Sequence, residues 1–219
     1  MLQTYPVSLV LEGRTALVVG GGAVATRKVE GLVPCGASIA VVSPELTETL
    51  HALACERRIE WRPRAYTPTD LQGADIVFVA TDDEAANARV YRDAAGKHLM
   101  VNVADRPELC TFFLPSVMRR GKLSVAVSTE GASPLTARRL RAELEERIPE
   151  GYEGYLDALQ AQRSRVIEAL PDEGARARFW QQVADSRMFA LVSAGEQEAA
   201  RALFESLLSE ALRETEPRG

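Results

Sequence analysis

A glycine-rich turn, GGGAVA from Gly20 onward, has the spacing GxGxxA and stands between an apolar segment and a predicted helix. Without side chains at Gly20 and Gly22, the backbone can approach a pyrophosphate closely. The amides at the start of the helix, at Ala23 and Val24, supply hydrogen-bond donors and partial positive charge. The turn therefore predicts a dinucleotide site, and the alternative is a tight turn that binds nothing.

The segment after the second predicted strand departs from the usual pattern. Dinucleotide sites carry Asp or Glu about 20 residues after the glycines to bind the ribose hydroxyls, whereas this sequence has Ser43, Pro44 and Glu45 there. We expect Ser43 or the backbone of this segment to hold the adenosine ribose. The segment offers no arginine for a 2′-phosphate, which favours NAD over NADP. Arg27 and Lys28 lie on the predicted helix, where we expect solvated charges.

Two polar groups follow later strands, at the carboxyl ends where parallel sheets bind ligands. Thr81 and Asp82 are expected near the nicotinamide half of the cofactor, although capping of the next helix explains them equally well. Asp105 follows the strand that carries Asn102, and its carboxylate could accept a proton while a neighbouring carbon loses hydride. Spacing alone favours a loop aspartate that bonds local amides or pairs with Arg106.

A hydroxyl-rich loop, STEGASP from Ser128 onward, leads into a predicted helix with three arginines. Thr129, Gly131 and Ser133 could bind an anion at the helix start, and arginines can clamp carboxylates. The structural alternative is that Ser133 caps the helix while the arginines pair with glutamates one turn on. The two roles are compatible. The arginines are Arg138, Arg139 and Arg141, and the glutamates are Glu143, Glu145 and Glu146.

No pattern of metal ligands is visible in the sequence. The two histidines, His51 and His98, lie far apart and are expected to be structural. Cys35, Cys55 and Cys110 form no CxxC pair, and three widely spaced cysteines argue against a disulfide framework. We expect free thiols in a reducing cytoplasm.

Alternating apolar and amphipathic segments must position these residues. Strands alternate with helices up to about residue 103, which predicts the α/β class with a Rossmann-type parallel sheet. The predicted strands cover residues 14–20, 38–42, 59–62, 75–80 and 98–103, and the predicted helices cover residues 23–33, 45–55 and 84–96.

The pattern changes after residue 107. Residues 111–117 and 122–128 predict a β-hairpin around a turn at residues 118–121, with Pro115 at an edge or bulge. The chain from Pro134 onward is predicted to be helical, with later helices at residues 152–170, 173–189 and 195–212. This divides the chain into a Rossmann domain (1–113), a hairpin and helix (114–149) and a small all-α domain (150–219).

Composition and charge exclude several classes of partner. Lys and Arg number 26 against 31 Asp and Glu, and the formal net charge of -5 gives no global attraction for nucleic acid or anionic lipid. No apolar run approaches the roughly 18 residues that a membrane helix needs, and the amino terminus lacks the features of a signal peptide. We therefore predict a cytoplasmic protein with neither nucleic acid nor membrane as a partner.

In the order of its motifs, the chain resembles the precorrin-2 dehydrogenases, the family that includes the dehydrogenase/ferrochelatase module of siroheme synthase. The glycine turn is generic, but the succession ATDD, NVADRP, FFLPS and VSTEGASP is specific. The matching stretches together span about the first 150 residues.

The resemblance implies that the protein oxidises precorrin-2 to sirohydrochlorin with NAD as hydride acceptor, on the way to siroheme or a cobalamin. The aspartate of the family's NVxD motif acts as general base and corresponds to Asp105, which reverses the interpretation from spacing alone. Asn102 and the VSTEGASP loop would line the tetrapyrrole site, with nearby arginines as clamps for substrate carboxylates. A homodimer formed largely by residues 114–149 is also implied. Some relatives insert ferrous iron into sirohydrochlorin with the same aspartate, and others are dehydrogenases only.

Two other hypotheses stay open. In the first, the chain is a regulatory module without catalytic activity, and NAD binding changes its assembly. The βαβ unit alone supports this hypothesis. The segments NVADRP and VSTEGASP have no role in such a module. In the second, the chain is a dehydrogenase that acts on another substrate.

Overall fold

A five-stranded parallel sheet forms the centre of the first of two compact units, which extends to Leu114. The structure is a computed structural model that describes residues 3–215. The strands are β1 (Thr15–Val19), β2 (Ser38–Val42), β3 (Glu60–Arg62), β4 (Ile76–Val79) and β5 (Met100–Val103). They stand in the order β3-β2-β1-β4-β5, with every neighbouring pair parallel. The predicted α/β class with a Rossmann-type sheet is confirmed.

Helices cover both faces of this sheet. They are α1 (Ala23–Leu32), α2 (Glu48–Cys55) and α3 (Glu84–Ala95). Successive residues of β1 point to opposite faces, so Leu17 packs in one core with Val90 of α3, and Val18 packs in the other with Val29 of α1. Each such aliphatic side chain stabilises the fold by about 1.5–3 kcal/mol when fully buried. A strand buried on both sides must be apolar throughout, which explains the unbroken apolar runs in the sequence.

The start of α2 differs from expectation. We predicted a helix from residue 45, but it begins at Glu48 because Thr47 is its N-cap, with the Thr47 hydroxyl accepting from the amide of Leu50 at 3.3 Å. A threonine in this position satisfies an amide that the helix cannot pair itself. The three residues before Thr47 are thereby left as an irregular segment above the sheet edge.

The second unit begins at Pro115 and opens with an antiparallel hairpin of β6 (Ser116–Arg120) and β7 (Leu123–Val127). The predicted turn at residues 118–121 is wrong, because β6 continues through Arg120 and the turn consists of Gly121 and Lys122. Gly121 has a φ of +53°, as two-residue hairpin turns require. Pro115 precedes β6 instead of interrupting it, since a proline has no amide to donate within a strand.

The rest of the second unit is helical. Its helices are α4 (Pro134–Arg147), α5 (Tyr152–Ala169), α6 (Glu173–Asp185), α7 (Met188–Ser193) and α8 (Gln197–Thr215). The single helix predicted at residues 173–189 is wrong, because Ser186 adopts an extended ψ of 177°. Its hydroxyl donates to the carbonyl of Val183 at 2.8 Å and accepts from the amide of Met188 at 3.1 Å, so it ends α6 and starts α7.

The predicted division into residues 1–113, 114–149 and 150–219 stays a prediction. Residues 1–2 and 216–219, at the outer ends of the first and third of these parts, lie outside the described residues. Among residues 3–215, no helix is long and apolar enough to cross a membrane.

Candidate functional site

The three glycines after β1 have three different surroundings. Gly20 has a φ of +116°, and a Cβ there would overlap the carbonyl oxygen of Ala80. A Cβ on Gly21 would overlap the carbonyl oxygen of Glu45. A Cβ on Gly22 would meet no protein atom within 4 Å. The first two glycines are therefore required by packing, whereas Gly22 leaves open space that a ligand could occupy.

The amino terminus of α1 borders this open space. Gly22 is its N-cap and supplies no side-chain hydrogen bond, and no acidic side chain lies in the first turn. Because the first amides of a helix have no partner within the helix, the amides at Ala23 and Val24 are suited to an anion. These are the donors that the sequence predicts for a pyrophosphate.

The end of β2 carries Ser43, Pro44 and Glu45. Ser43 is buried: its amide donates to the backbone carbonyl of Arg62 at 3.3 Å, and its carbonyl accepts from Trp61 Nε1 at 3.0 Å. Pro44 and Glu45 are exposed. Through its backbone oxygen, Glu45 limits the space at Gly21. The segment therefore shapes the turn, and its exposed part can contact a ribose.

Two arginines beside this segment are paired with carboxylates, and Arg62 binds Glu60 at 2.8 Å in addition to Asp70. Arg62 ends β3, next to the end of β2, and its Nη1 lies 3.0 Å from Asp70 Oδ1. Arg64 also binds Asp70, at 2.6 Å, and the Asp70 side chain is only 1% exposed. Burial alone would raise the pKa of Asp70, but hydrogen bonds from Arg64, Thr67 and Arg62 hold it well below its ordinary value. The sequence interpretation missed this ion cluster, because nothing local links residues 62 and 64 to residue 70.

The loop after β4 divides its two aspartates between different roles. Thr81 accepts from the amide of Asp83 at 3.2 Å and donates to Asn87 Oδ1 at 2.7 Å. Asp83 is the N-cap of α3 and accepts from the amide of Ala86 at 3.0 Å. Asp82 is exposed between them. Capping therefore belongs to Asp83, which we did not single out, and Asp82 stands at the sheet edge where a cofactor was expected.

A polar group under the sheet edge joins α1 to β5. Asn102 is 7% exposed, and its Oδ1 accepts from Lys28 Nζ at 2.9 Å while its Nδ2 donates to the carbonyl of Phe112 at 3.0 Å. The Lys28 ammonium also lies 5.5 Å from the centre of the Phe78 ring. Burial lowers the pKa of Lys28, and the charge of Asp105 opposes that lowering.

The expectation of a solvated Lys28 is therefore wrong, while Arg27 is exposed as expected. Lys28 turns inward because its stem can cover the apolar sheet face while its ammonium reaches a buried acceptor. No sequence pattern indicated this contact, since the acceptor lies 74 residues away.

Asp105 lies in a tight turn after β5, with an exposed side chain and a φ of +57°. A non-glycine residue in this left-handed region is uncommon and is held in place by its surroundings. Arg106 does not pair with Asp105, because it binds Glu84 and Glu108, each at 3.1 Å. The Asp105 carboxylate is thus presented to solvent at the carboxyl edge of the sheet, and the pairing with Arg106 that spacing allowed is absent.

The thiol of Cys110 closes the same turn from inside. It accepts from the amide of Val103 at 3.3 Å and lies within hydrogen-bond distance, 3.3 Å, of the carbonyls of Val103 and Arg106. Burial raises the pKa of Cys110, so the thiol stays protonated and can donate. The Asp105 turn is therefore fixed by Cys110 within and Arg106 outside.

In the second unit, the loop before α4 is internally bonded. Thr129 Oγ1 accepts from the amide of Ser133 at 3.1 Å, and Ser133 caps α4 by accepting from the amide of Thr136 at 3.2 Å. Glu130 and Gly131 both have positive φ values, +52° and +83°. The predicted cap at Ser133 is confirmed, and the two left-handed residues turn the loop sharply at the helix start.

Two arginines of α4 form ion pairs within the helix, and a third is exposed to solvent. Arg139 binds Glu143 at 3.0 Å and Arg141 binds Glu145, as the structural alternative predicts. Arg138 is exposed, and its Nε donates to the carbonyl of Pro134 at 3.3 Å. Arg138 is therefore the arginine of this helix that is best placed to meet an external carboxylate.

The histidines and cysteines of residues 3–215 form no metal centre, since no three His, Cys, Asp or Glu side chains in that range gather closely enough to hold an ion. His51 packs edge-on against Trp61 and lies 3.6 Å from Cys55 Sγ. The three cysteines are free thiols.

Three family models match successive parts of the chain. A putative NAD(P)-binding family matches residues 7–116, about half of the chain. The central region of a sirohaem biosynthesis protein matches residues 120–147, and the sirohaem synthase dimerisation region matches residues 156–208. The first unit is thus an NAD(P)-binding domain, and the dimerisation region corresponds to the helical part of the second.

Curated relatives and a solved structure agree with these matches. Siroheme synthase from Methylobacillus flagellatus is 42% identical over 95% of this chain, and that from Nitrosococcus oceani is 39% identical over 94%. The chain spans 44% of the length of each. The structure of SirC, a precorrin-2 dehydrogenase, superposes with a TM-score of 0.75 at 27% identity, covering 91% of this chain and 100% of the other.

Proposed function

Because this chain belongs to the siroheme synthase family of NAD(P)-binding proteins, we propose that it oxidises precorrin-2 to sirohydrochlorin with NAD as hydride acceptor. The family models, the siroheme synthase relatives and the similarity to SirC all support this reaction. The enzyme is then an oxidoreductase of tetrapyrrole biosynthesis.

The reaction removes one hydride and one proton from the substrate. NAD bound at the amino terminus of α1 would accept the hydride with its electron pair and so become NADH, and the Asp105 carboxylate takes the proton. Loss of these two hydrogens leaves a new carbon–carbon double bond in the macrocycle. NAD supplies the hydride acceptor, and the protein supplies its position and the base.

The observation that carries this proposal is the exposed, unpaired placement of Asp105 at the sheet edge that also bears the glycine turn. In the strand order, β4 alone separates β1 from β5, so the two sites lie about 10 Å apart along the edge at the usual strand spacing. A pyrophosphate at the amino terminus of α1 directs the nicotinamide half toward β4 and β5. Asp82 and Thr81, at the end of β4, then lie along this path.

NAD is preferred over NADP in this proposal because of the ion cluster beside β2. A 2′-phosphate needs a free guanidinium near the adenosine ribose, whereas Arg62 is paired with Glu60 and Asp70, and Arg64 is paired with Asp70. The ribose hydroxyls then bind at the exposed end of the segment, to the Glu45 carboxylate and the backbone of Pro44 and Glu45, because the amide and carbonyl of Ser43 are already bonded.

The Thr129 loop is our candidate for binding the substrate's carboxylates. Its sharp turn at Glu130 and Gly131 stands before the amino terminus of α4, where the hydroxyl oxygens of Thr129 and Ser133 accept from backbone amides and leave the hydroxyl hydrogens to donate to a carboxylate. Precorrin-2 carries many carboxylates, so a helix start with hydroxyl groups and the exposed Arg138 suits it.

The decisive experiment follows the tetrapyrrole absorbance of purified protein with precorrin-2 and NAD. We expect turnover by the wild type and a rate for Asp105→Ala that is lower by about 10²- to 10⁴-fold, with NADH binding retained. The control is Glu30→Gln, which removes an exposed carboxylate of α1 and should leave the rate unchanged. A folded, NADH-binding Asp105→Ala variant that works at the wild-type rate would exclude Asp105 as the base.

Insertion of ferrous iron into sirohydrochlorin is a second candidate activity. The observation that favours it is again the exposed Asp105 carboxylate, because insertion releases two pyrrole protons that a base must accept. Adding ferrous iron to the wild-type cuvette after oxidation tests it, and a second spectral change supports chelation. Because Asp105→Ala should make little sirohydrochlorin, this variant is given sirohydrochlorin and ferrous iron directly, and loss of the spectral change there assigns the base to Asp105. If the wild type shows no oxidation but NAD changes its oligomeric state, the protein is a regulatory module.

A further inference from the structure

Lys28 is an inward-facing charge that the proposed reaction does not use. It lies on the second turn of α1, the helix whose first turn is offered to the pyrophosphate, and its side chain reaches across the sheet face to β5. There its ammonium is 2.9 Å from Asn102 Oδ1 and 5.5 Å from the centre of the Phe78 ring. Removing a charge from water is costly, so a half-buried ammonium in this place needs an explanation.

Asn102 connects Lys28 to the backbone that follows the Asp105 turn. Its Nδ2 donates to the carbonyl of Phe112, so the two ends of one buried amide join α1 to the segment that leaves the turn. Lys28 fixes which way this amide points, because an ammonium can only donate and therefore selects the oxygen end. A flipped amide would set Nδ2 against the ammonium and leave the Phe112 carbonyl without its donor.

Asp105 follows Asn102 by three residues, and its turn is closed by Cys110 on the same side. Asn102 Nδ2 lies 3.6 Å from Cys110 Sγ, and the Asp105 charge acts on the Lys28 ammonium. Lys28, Asn102 and Cys110 thus form one polar group directly beneath the turn that presents the carboxylate.

We propose that Lys28 is a positioning residue for the oxidation, which holds the Asn102 amide and through it the Asp105 turn in register with the cofactor-binding helix. The inference rests on the proposed function. Because Lys28 sits on the helix that binds the pyrophosphate, it links the placement of the base to the placement of the cofactor. A misplacement of about 1 Å is enough to cost about 10²-fold in rate.

A direct role of Lys28 in binding the cofactor would require its ammonium to face the first turn of α1. The donors suited to the pyrophosphate are the amides of the first turn of α1, whereas Lys28 points toward β4 and β5 and is engaged by Asn102. Removing its ammonium should therefore lower kcat while leaving the affinity for NADH almost unchanged.

The test compares Lys28→Met, Lys28→Arg and the matched control Arg27→Met, the neighbouring exposed charge of the same helix, with the wild type. Circular dichroism and thermal unfolding report the fold, NADH fluorescence reports cofactor affinity, and tetrapyrrole absorbance reports precorrin-2 oxidation. We expect Lys28→Met to lose about 10- to 100-fold in kcat with NADH affinity within about twofold of the wild type. Lys28→Arg, which keeps a cation and a donor, should recover most of the rate, and Arg27→Met should match the wild type.

Each result decides the question. A Lys28→Met variant with the wild-type kcat, or one that loses NADH affinity as much as it loses rate, overturns the positioning role. A Lys28→Arg variant as slow as Lys28→Met also overturns it. If the wild type itself does not oxidise precorrin-2, the proposed function fails and this inference fails with it, whereas wild-type turnover beside an unchanged Lys28→Met rejects the positioning role alone.

Discussion

At the residue scale, the glycine turn shows how one short motif meets three separate demands. Gly20 is needed for its backbone conformation and for its approach to Ala80, and Gly21 is needed for its approach to Glu45. Only Gly22 borders empty space. The motif GxGxxA treats Gly21 as a free position, yet here that position is among the most restricted. Packing and ligand binding can therefore be separated by mutating neighbouring glycines.

Gly21→Ala should mainly lower the stability of the fold, whereas Gly22→Ala should mainly lower the affinity for NADH. In Gly21→Ala the new methyl group meets the backbone of Glu45, and we expect the free energy of unfolding to fall by about 1–3 kcal/mol. In Gly22→Ala the methyl group enters open space, so the free energy of unfolding should fall by less than about 1 kcal/mol, the loss arising because alanine is a poorer N-cap than glycine. The Gly22→Ala methyl group should instead weaken NADH binding by about tenfold, or 1.4 kcal/mol, because it occupies the space of the pyrophosphate.

Urea unfolding and NADH titration of the two variants measure these effects. If Gly22→Ala binds NADH as tightly as the wild type, the open space at this glycine is not the pyrophosphate site. If Gly21→Ala is as stable as the wild type, the Glu45 segment moves aside at little cost.

Asp70 should make stability depend on pH in the acid range. Its pKa is depressed in the folded protein and is about 3.9 in an unfolded chain. The stabilisation is therefore fully present above about pH 4 and is lost as the pH falls toward the folded value. At pH 7 we expect Asp70→Asn to lower the free energy of unfolding by about 2–4 kcal/mol, because Arg62 and Arg64 lose their shared partner.

Between pH 6 and pH 3, the wild type should lose more stability than Asp70→Asn, as measured by urea unfolding at each pH. The control is Asp185→Asn, which removes an exposed carboxylate of α6 and should follow the wild type. Equal losses in the wild type and Asp70→Asn would show that the acid sensitivity arises elsewhere.

At the element scale, the strands were predictable and their connections less so. Val18 and Val41 sit in unbroken apolar runs that only a strand buried on both faces requires, so β1 and β2 follow directly from composition. The break at Ser186 could not be predicted, because a serine inside an amphipathic pattern is compatible with a continuous helix. Lys28 was misjudged for a related reason: its acceptor, Asn102, comes close only when β5 takes its place in the sheet.

In the candidate site, too, some features could be predicted from the sequence and others depend on contacts made only in the fold. The position of Asp105 at the sheet edge follows from strand order, and its role as a base is a proposal that comes from the family resemblance. What holds the turn, namely Cys110 and Arg106, depends on contacts that no spacing encodes. Sequence therefore locates the carboxylate, and the fold explains why it is free of Arg106.

The start of α3 gives a prediction that separates its neighbouring aspartates. Asp83→Ala removes the cap that accepts from the amide of Ala86, and we expect a loss of about 1 kcal/mol in the free energy of unfolding. Asp82→Ala should change stability by less than about 0.5 kcal/mol, since Asp82 is exposed and does not cap the helix. Thermal unfolding of both variants measures this difference. A larger loss of stability in Asp82→Ala than in Asp83→Ala would show that Asp83 is not the cap.

At the scale of the whole molecule, a homodimer is proposed from the dimerisation region that matches residues 156–208. The sequence interpretation placed the interface in residues 114–149 instead. Each segment exposes apolar side chains in the single chain: Leu135 and Leu140 of α4 are 73% and 42% exposed, and Ile167 of α5 is 49% exposed. Apolar groups on an amphipathic helix are ordinarily directed at a partner, so each surface is a candidate for the contact.

Leu135→Glu and Ile167→Glu distinguish the two surfaces, because a carboxylate buried in an interface without a partner is strongly destabilising. We expect the wild type to sediment as a dimer and Leu135→Glu to sediment as a monomer, because Leu135 is the more exposed apolar side chain and lies in the segment that we predict to pair. Ile167→Glu should stay dimeric, which makes it the matched control for an added surface charge. Sedimentation velocity at equal concentrations gives the result. A monomeric Ile167→Glu beside a dimeric Leu135→Glu would move the interface into residues 156–208, where the dimerisation model matches, and would leave the apolar face of α4 for another role.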